Sequence, residues 1–171
     1  MKPDDLRELQ APLKDTYRDD PRSAIVTMRA VGELDAANLT CKVDTGRALV
    51  EAGLHPAAGG NGLTACSGDM LLEALTACAG VTLRAVATAL DIPVTGGTVT
   101  AEGDLDFRGT LAVDKEAPVG FRDIRLDFKL DTKATADQLA LLLKLTERYC
   151  VVYQTLKATP PIAVSLTQAK V

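Results

Sequence analysis

The chain has 171 residues, a length that fits one domain and excludes a multidomain machine. Hydrophobic residues at 47% and charged residues at 25% are ordinary globular usage, which excludes a disordered or collagen-like chain. A net charge of −4 with only 4% aromatics and no Trp lacks the basic footprint of a nucleic-acid binder, and it leaves the core to aliphatic residues.

Residues 1–22 read as a polar N-terminal helical extension, and residues 23–171 as a single domain. In the extension Leu6, Leu9 and Leu13 recur at amphipathic-helix spacing, and Pro21 ends it. The stretch Met1–Asp5 is acidic and has no apolar signal-peptide core. The expected setting is therefore the cytoplasm, where thiols are reduced at rest. A strand over 24–30 is expected with residues 24, 26, 28 and 30 on one face. A second strand carries Leu39, Cys41 and Val43 on its apolar face, with 35–38 as the connection. The run His55–Gly62 is a Gly/Pro/Asn loop. It is not followed by Gly-Lys-Ser/Thr and is not a Walker loop. Gly59 and Gly60 serve either positive φ or a close backbone approach, to a ligand among other things.

Ser67 is the expected N-cap of a long helix, with Asp69 at the positive end of its dipole. The helix runs to about Leu90 and stops at Ile92-Pro93. Met70–Leu90 is long enough to span a bilayer. Its Ala and Thr content, Glu73, and an internal Arg84 that would cost about 2.5–3.5 kcal/mol argue against insertion. No membrane partner is expected, and a helix apolar on nearly every side reads as a buried central helix. Two strands follow, Gly97–Phe107 and Phe121–Asp131. Ile124, Leu126, Phe128 and Leu130 alternate with polar residues, as in an antiparallel pair with one wet face. Thr135 and Gln138 form a capping-box pattern that opens a second helix, with Leu139, Leu142, Leu143 and Thr146 on its buried side. Residues 147–156 either continue it or start another helix. Pro160-Pro161 leads into an expected last strand, Ile162–Leu166. The order gives an α+β domain with helices packed on antiparallel sheets.

The four cysteines are Cys41, Cys66, Cys78 and Cys150. No Cys-x-x-Cys occurs, so neither a zinc finger nor a thioredoxin-like pair is indicated, and no metal or cofactor is expected. Cys41 reads as a small buried hydrophobe and Cys66 as an incidental loop cysteine. Cys78 is ambiguous, since mid-helix among Leu, Ala and Val it reads as a packed core residue. Cys150 sits where one helix gives way to another. A helix N-terminus lowers a thiol pKa, and the thiolate is the nucleophile, so Cys150 is a candidate reactive thiol. His55, a lone loop histidine, reads as a surface or hydrogen-bonded residue more readily than as a base or ligand.

The stretch Ser67–Cys78, SGDMLLEALTAC, resembles the helix signature of the OsmC family, which includes the organic hydroperoxide resistance (Ohr) proteins. That signature is a Leu-Leu-x-Ala-Leu-x-x-Cys run. Gly59-Gly60 resembles the family's Gly-Gly element. Glu147–Val152 resembles its second motif, with Val151 where the family usually has Pro. The resemblance covers about residues 23–168. It implies an OsmC-like α+β fold, an intertwined homodimer with two active sites at the interface, and thiol peroxidase chemistry on organic hydroperoxides in oxidative stress defence. By the same resemblance Cys78 is the peroxidatic nucleophile. Cys150 is the resolving thiol that forms a disulfide with it, and an external dithiol restores both. The Ohr branch activates its cysteine with an Arg–Glu pair whose Glu lies ten residues before the Cys. Here that position is Gly68, so Asp69 is a shifted candidate, and Arg29 and Arg47 are candidates for the Arg. On a continuous helix Asp69 lies about 13–14 Å and half a rotation from Cys78. A rival reading is a non-catalytic small-molecule-binding or redox-sensing protein on the same fold. A third is an assembly protein whose cysteines merely pack.

Overall fold

The computed structural model describes residues 2–19, 31–34, 40–44 and 49–168. The strand expected over 24–30, the connection 35–38, and the candidates Arg29 and Arg47 lie outside the described residues. The expected N-terminal helix is α1, Pro3–Asp19. It opens with Pro at the first helical position, where a missing N–H costs no hydrogen bond, and Asp4 and Asp5 follow at the positive end.

A first sheet joins β1 (Val31–Leu34), β2 (Thr40–Asp44), β3 (Leu49–Gly53) and β4 (Ala65–Cys66) in that order. β1–β2 and β2–β3 are antiparallel, and β3–β4 is parallel. In this register Cys41 stands opposite Leu34 on one side and Ala52 on the other. Between β3 and β4 the Gly-rich loop folds on itself. A 3₁₀ turn spans Pro56–Ala58, Gly59 closes it at φ +91°, and a Cβ on Gly60 would fall 1.7 Å from the Leu54 carbonyl oxygen. The two glycines thus answer both sequence-level readings, one positive φ and one close approach, and the approach is to the chain's own backbone.

The central helix α2 spans Ser67–Ala89. Its N-cap is Cys66 and not Ser67, a shift of one residue from expectation. Cys66 is the last residue of β4, and its extended backbone (φ −83°, ψ 131°) runs straight into the helix. The far end closes in a Schellman turn. Asp91 takes φ +53°, its N–H donates to the Thr88 carbonyl, and the Ile92 N–H donates to Ala87. Ile92 is then buried beneath the helix end, 6% exposed.

β5 (Val94–Leu105) and β6 (Phe121–Thr132) form the expected antiparallel pair, with Val99 opposite Phe128 and Ala101 opposite Leu126. A short helix α3 (Phe107–Thr110) starts the connection. On the wet face Arg125 gathers Glu102, Asp104 and Asp123. The helix α4 (Ala136–Tyr149) opens with the expected capping box. The Gln138 N–H donates to Thr135 Oγ1, and the Thr135 N–H donates to Gln138 Oε1. At Cys150 the chain leaves helical geometry (φ −72°, ψ 108°) and restarts as α5 (Val151–Lys157).

The core forms two patches along α2. Leu83, Val86, Ala87, Ile92 and Leu142 make one, closed by Phe128 and Leu130. Leu75, Ala79 and Cys150 make the other, closed by residues of β5, β6 and α5. Ala79 is fully buried, and a Cβ on Gly80 would sit 3.6 Å from Val99, so small residues let α2 approach β5 closely. Three expectations need correction. α2 is not buried all round, since Val81 is 72% exposed and Leu71, Ala74 and Ala77 are also open. Among the described residues α2 is covered by β5, α4, α5 and α1, which leaves one side open. Leu143 is likewise exposed, so α4 buries Leu142 and Thr146, with Leu139 and Leu145 half-buried beside them. Residues 162–166 form no strand, and Ile162, Val164 and Leu166 are exposed and pair with no strand among the described residues.

By length and composition α2 could cross a membrane. The fold uses it as a core helix, and the Arg84 guanidinium donates to the Val94 carbonyl at the start of β5 at 2.5 Å.

Candidate functional site

The two cysteines singled out in sequence, Cys78 and Cys150, are 72 residues apart and meet in one cluster. Cys78 lies in the middle of α2, half-buried, facing β5, β6 and α5. Cys150 is the hinge residue between α4 and α5 and is 1% exposed. Neither is in a disulfide. Each thiol acts on the other's acidity. The break at Cys150 makes this meeting possible, because it turns α5 so that its first residues face α2.

The two thiols are shifted in opposite directions. Burial by itself raises the Cys78 thiol. Four donors outweigh it: the Val152 N–H, the Cys150 thiol, the Val151 N–H and the Thr82 hydroxyl. Cys78 is held below its ordinary value of 9.0. Cys150 is pushed above 9.0, chiefly by burial and to a smaller degree by Cys78, against the lowering effect of the Tyr153 and Val152 N–H groups. This reverses the expectation that a helix N-terminus would make Cys150 the more acidic thiol. The first N–H groups of α5 point at Cys78 as well, and the buried Cys150 is left as the proton donor of the pair. Chemically the arrangement is a more acidic thiol packed beside a less acidic one.

The other candidates fall elsewhere. Asp69 lies near the amino end of α2 and lines a cavity of about 340 Å³ with His55, Cys66, Phe107 and Phe121. Half a helical rotation keeps it from Cys78, and every leading group that acts on Cys78 is neutral. His55 stacks on Phe107 at 5.0 Å and its Nδ1 accepts the Ala57 N–H at 3.0 Å, so it caps the 3₁₀ turn, in line with the hydrogen-bonded reading. Cys66 caps α2 within the same cavity, away from the thiol pair. Among the described residues no group of three or more His, Cys, Asp or Glu gathers as a metal site. Thr82 and the α5 amides were not singled out in sequence. Thr82 was findable, since it lies four residues after Cys78 on the same helix face. The amides depended on the break at Cys150.

A second cavity, about 370 Å³ and mostly apolar, lies between α2, β6 and α4. It is lined in part by Leu83, Leu126, Phe128 and Leu142. Leu126 and Phe128 also pack against the cysteine cluster, so the cavity and the thiols share a wall.

Fold and site together define a class: small α+β domains in which a long helix carries one cysteine and meets a second cysteine at a helix break. Residues 59–165 match the family described as OsmC-like protein, and the chain belongs to this family, OsmC/Ohr. No curated protein matches the chain. Among solved structures, the OsmC-like protein from Mycoplasma pneumoniae superposes with a TM-score of 0.65 at 14% identity, covering 78% of this chain and 89% of that one. The organic hydroperoxide resistance protein OsmC from Legionella pneumophila gives 0.61 at 17% identity, covering 79% and 92%. OhrB of Bacillus subtilis, an organic hydroperoxide resistance protein, gives 0.52 at 17% identity, covering 80% and 94%. At these identities the likeness is one of fold.

Proposed function

We propose that this protein is a cysteine-dependent thiol peroxidase that reduces organic hydroperoxides in oxidative stress defence. One observation carries the reading: Cys78 packs against the buried cluster that holds Cys150, and the two thiols are shifted in opposite directions. The Cys78 thiolate attacks the terminal oxygen of the hydroperoxide. The O–O bond breaks, an S–O bond forms, and the leaving alkoxide takes a proton, with Cys150 the nearest donor. Cys78 is then a sulfenic acid. The Cys150 thiolate attacks its sulfur, the S–O bond breaks, the leaving hydroxide takes a proton from solvent to become water, and a Cys78–Cys150 disulfide remains. An external dithiol reduces it by exchange and restores both thiols. The net change is one hydroperoxide to one alcohol and one water. The apolar cavity that shares Leu126 and Phe128 with the thiols supports an organic substrate over hydrogen peroxide.

The working form is an intertwined homodimer with its sites at the interface, and three observations support this. α2 leaves Val81 and Leu71 open. Among the described residues β5 and β6 form a two-stranded ladder, an arrangement marginal in water by itself. The alternating Ile162, Val164 and Leu166 are exposed and pair with no strand among the described residues. Residues 1–22 are a helical extension to one domain over 23–171, with α1 seated against α2. A cytoplasmic, reducing setting fits a site that must return to two thiols. Arg29, Arg47 and Asp69 stay candidates for an activating shell completed in the dimer.

The test counts free thiols before and after one equivalent of cumene hydroperoxide. Wild type loses two thiols, and Cys78→Ser loses none. Unchanged thiols in the wild type would sink the proposal. A second reading, a redox-sensing or small-molecule-binding protein, is favoured by Gly68 at the position where the resemblance calls for Glu, and by the neutral surroundings of Cys78. Two thiols lost without dithiol-dependent turnover of hydroperoxide would select it.

A further inference from the structure

A helix that stops leaves its last carbonyls without the N–H four residues further on. At the end of α4 the Thr146 carbonyl still receives the Cys150 N–H at 2.9 Å, and α5 begins with the Gln154 N–H donating to the Cys150 carbonyl at 2.9 Å. Cys150 is thus the pivot of the break. The Glu147 carbonyl, which an unbroken helix would pair with the Val151 N–H, accepts instead from the Gln154 side-chain amide, Nε2 to O at 2.7 Å. Among the described residues this is the one hydrogen bond that spans the break from α4 to α5. An open hollow of about 510 Å³ lies over it, lined by Lys144, Glu147, Arg148, Tyr149 and Gln154, so packing does not brace the break on that side. On the other side Cys150 is 1% exposed. Val152, Tyr153 and Leu156 of α5 pack on the cluster it shares with Leu75 and Ala79, against which Cys78 also packs. A tilt of α5 about the pivot would carry Cys150 and this wall away from Cys78. We propose that Gln154 is a positioning residue for the thiol pair: its amide clamps the α4–α5 break and holds Cys150 in the cluster beside Cys78. The inference rests on Cys78 and Cys150 being the redox pair of the function proposed above. It adds a residue that neither the resemblance nor the motifs assign.

Gln154→Met keeps the length of the side chain and removes its donor. Gln154→Lys replaces the amide donor with an ammonium donor of similar reach. Position 154 is exposed, so neither substitution disturbs the core. Water competes for both partners of a surface hydrogen bond, and its loss is expected to shift an equilibrium by about two- to fivefold.

The experiment reads two quantities on the full chain at one pH, with thermal melts as a folding control. The first is the rate of iodoacetamide alkylation of Cys150 in the reduced protein, with the site resolved by peptide mass spectrometry. The second is the equilibrium with glutathione. There Cys78 and Cys150 give up two electrons and two protons as their S–S bond forms, and glutathione disulfide takes them up to become two glutathione thiols. That constant reports how closely the fold holds the two thiols together. Gln154→Met is expected to speed Cys150 alkylation about two- to fivefold and to lower the constant for the Cys78–Cys150 disulfide by a similar factor. Gln154→Lys is expected to restore both. Gln154→Ala removes the same donor with the best helix former and guards against an effect of the Met side chain itself. A donor-less variant that matches the wild type in either quantity, or a Lys variant that matches Met, overturns the proposal. Neither measurement uses a peroxide. Failure here therefore leaves the peroxidase reading standing, and a failed thiol count with cumene hydroperoxide beside a shifted Met variant leaves Gln154 standing.

Discussion

Val81 is the position at which the homodimer can be tested without touching the thiols. It lies on the open side of α2 with 72% of its surface exposed. That is roughly 110 Å² of mostly apolar surface, and covering it at about 25 cal/mol per Å² contributes roughly 2.5–3 kcal/mol per copy. A two-fold interface repeats each contact, so a pair of chains gains roughly 5 kcal/mol at this one position, between three and four decades in Kd. Val81→Asp removes that gain and places a carboxylate where it must lose water to bind. Size-exclusion chromatography with light scattering at about 10 μM should give a dimer for the wild type and a monomer for Val81→Asp. Val81→Ala should dissociate only on dilution. A wild type that is monomeric at that concentration refutes the reasoning. So does an Asp variant that stays a dimer, because α2 would then not be the covered surface.

Leu75 is 2% exposed in the same cluster as Cys150, so Leu75→Ala should cost about 2–5 kcal/mol in urea unfolding and loosen the wall behind the thiols. A loss below 1 kcal/mol would mean this cluster is not packed as described. Gly60→Ala meets the Leu54 carbonyl at 1.7 Å, and the loop must shift, at a cost of about 1–3 kcal/mol; an unchanged melting curve would count against the close approach. Stability should also depend on pH in a way set by the two thiols. Cys78 is lowered in the folded state, so its contribution is present above the unfolded value near 9.0 and is lost as pH falls through the folded value. Cys150 is raised, so its contribution is present below 9.0 and is lost as pH rises toward its folded value. Unfolding midpoints should therefore rise with pH just below 9 and fall above it, and Cys78→Ser should flatten the lower limb.

Much of the fold was legible because its signals are local. The Thr135/Gln138 capping box, the alternation from Ile124 to Leu130, and the apolar run from Met70 to Leu90 each fix one element by side-chain period alone. β3 and β4 were not legible. Leu49–Gly53 contains a Glu and a Gly, and Ala65–Cys66 is two residues long, so their pairing comes from the loop that brings them together. Residues 162–166 show the opposite failure. Ile162, Val164 and Leu166 alternate as a strand should, yet alternation states only what a segment prefers to bury, and the described residues offer that segment no strand neighbour. The same excess of apolar surface appears on α2, where the sequence pattern counts residues to be covered without saying which chain covers them.

The site divides along the same line. That Cys78 and Cys150 belong together came from motif resemblance, since nothing in a separation of 72 residues predicts contact. Which thiol is the more acidic depended on orientation. A helix start acidifies the thiol toward which its free N–H groups point. At the break after Cys150, the Val151 and Val152 amides point across the gap to Cys78, while Cys150 receives the Tyr153 amide and a larger burial penalty. The residue that makes the turn is therefore not the one most activated by it. This also bears on Val151, which stands where the family usually has Pro. A Pro has no N–H, and the chain with Val keeps one more donor on Cys78. Val151→Pro would restore the family's usual motif at the expense of that donor. If the backbone donors carry the activation, Val151→Pro should raise the pH at which Cys78 alkylates. If an arginine from the first β region carries it instead, the profile should stay in place, so the direction of that shift separates backbone activation from cationic activation.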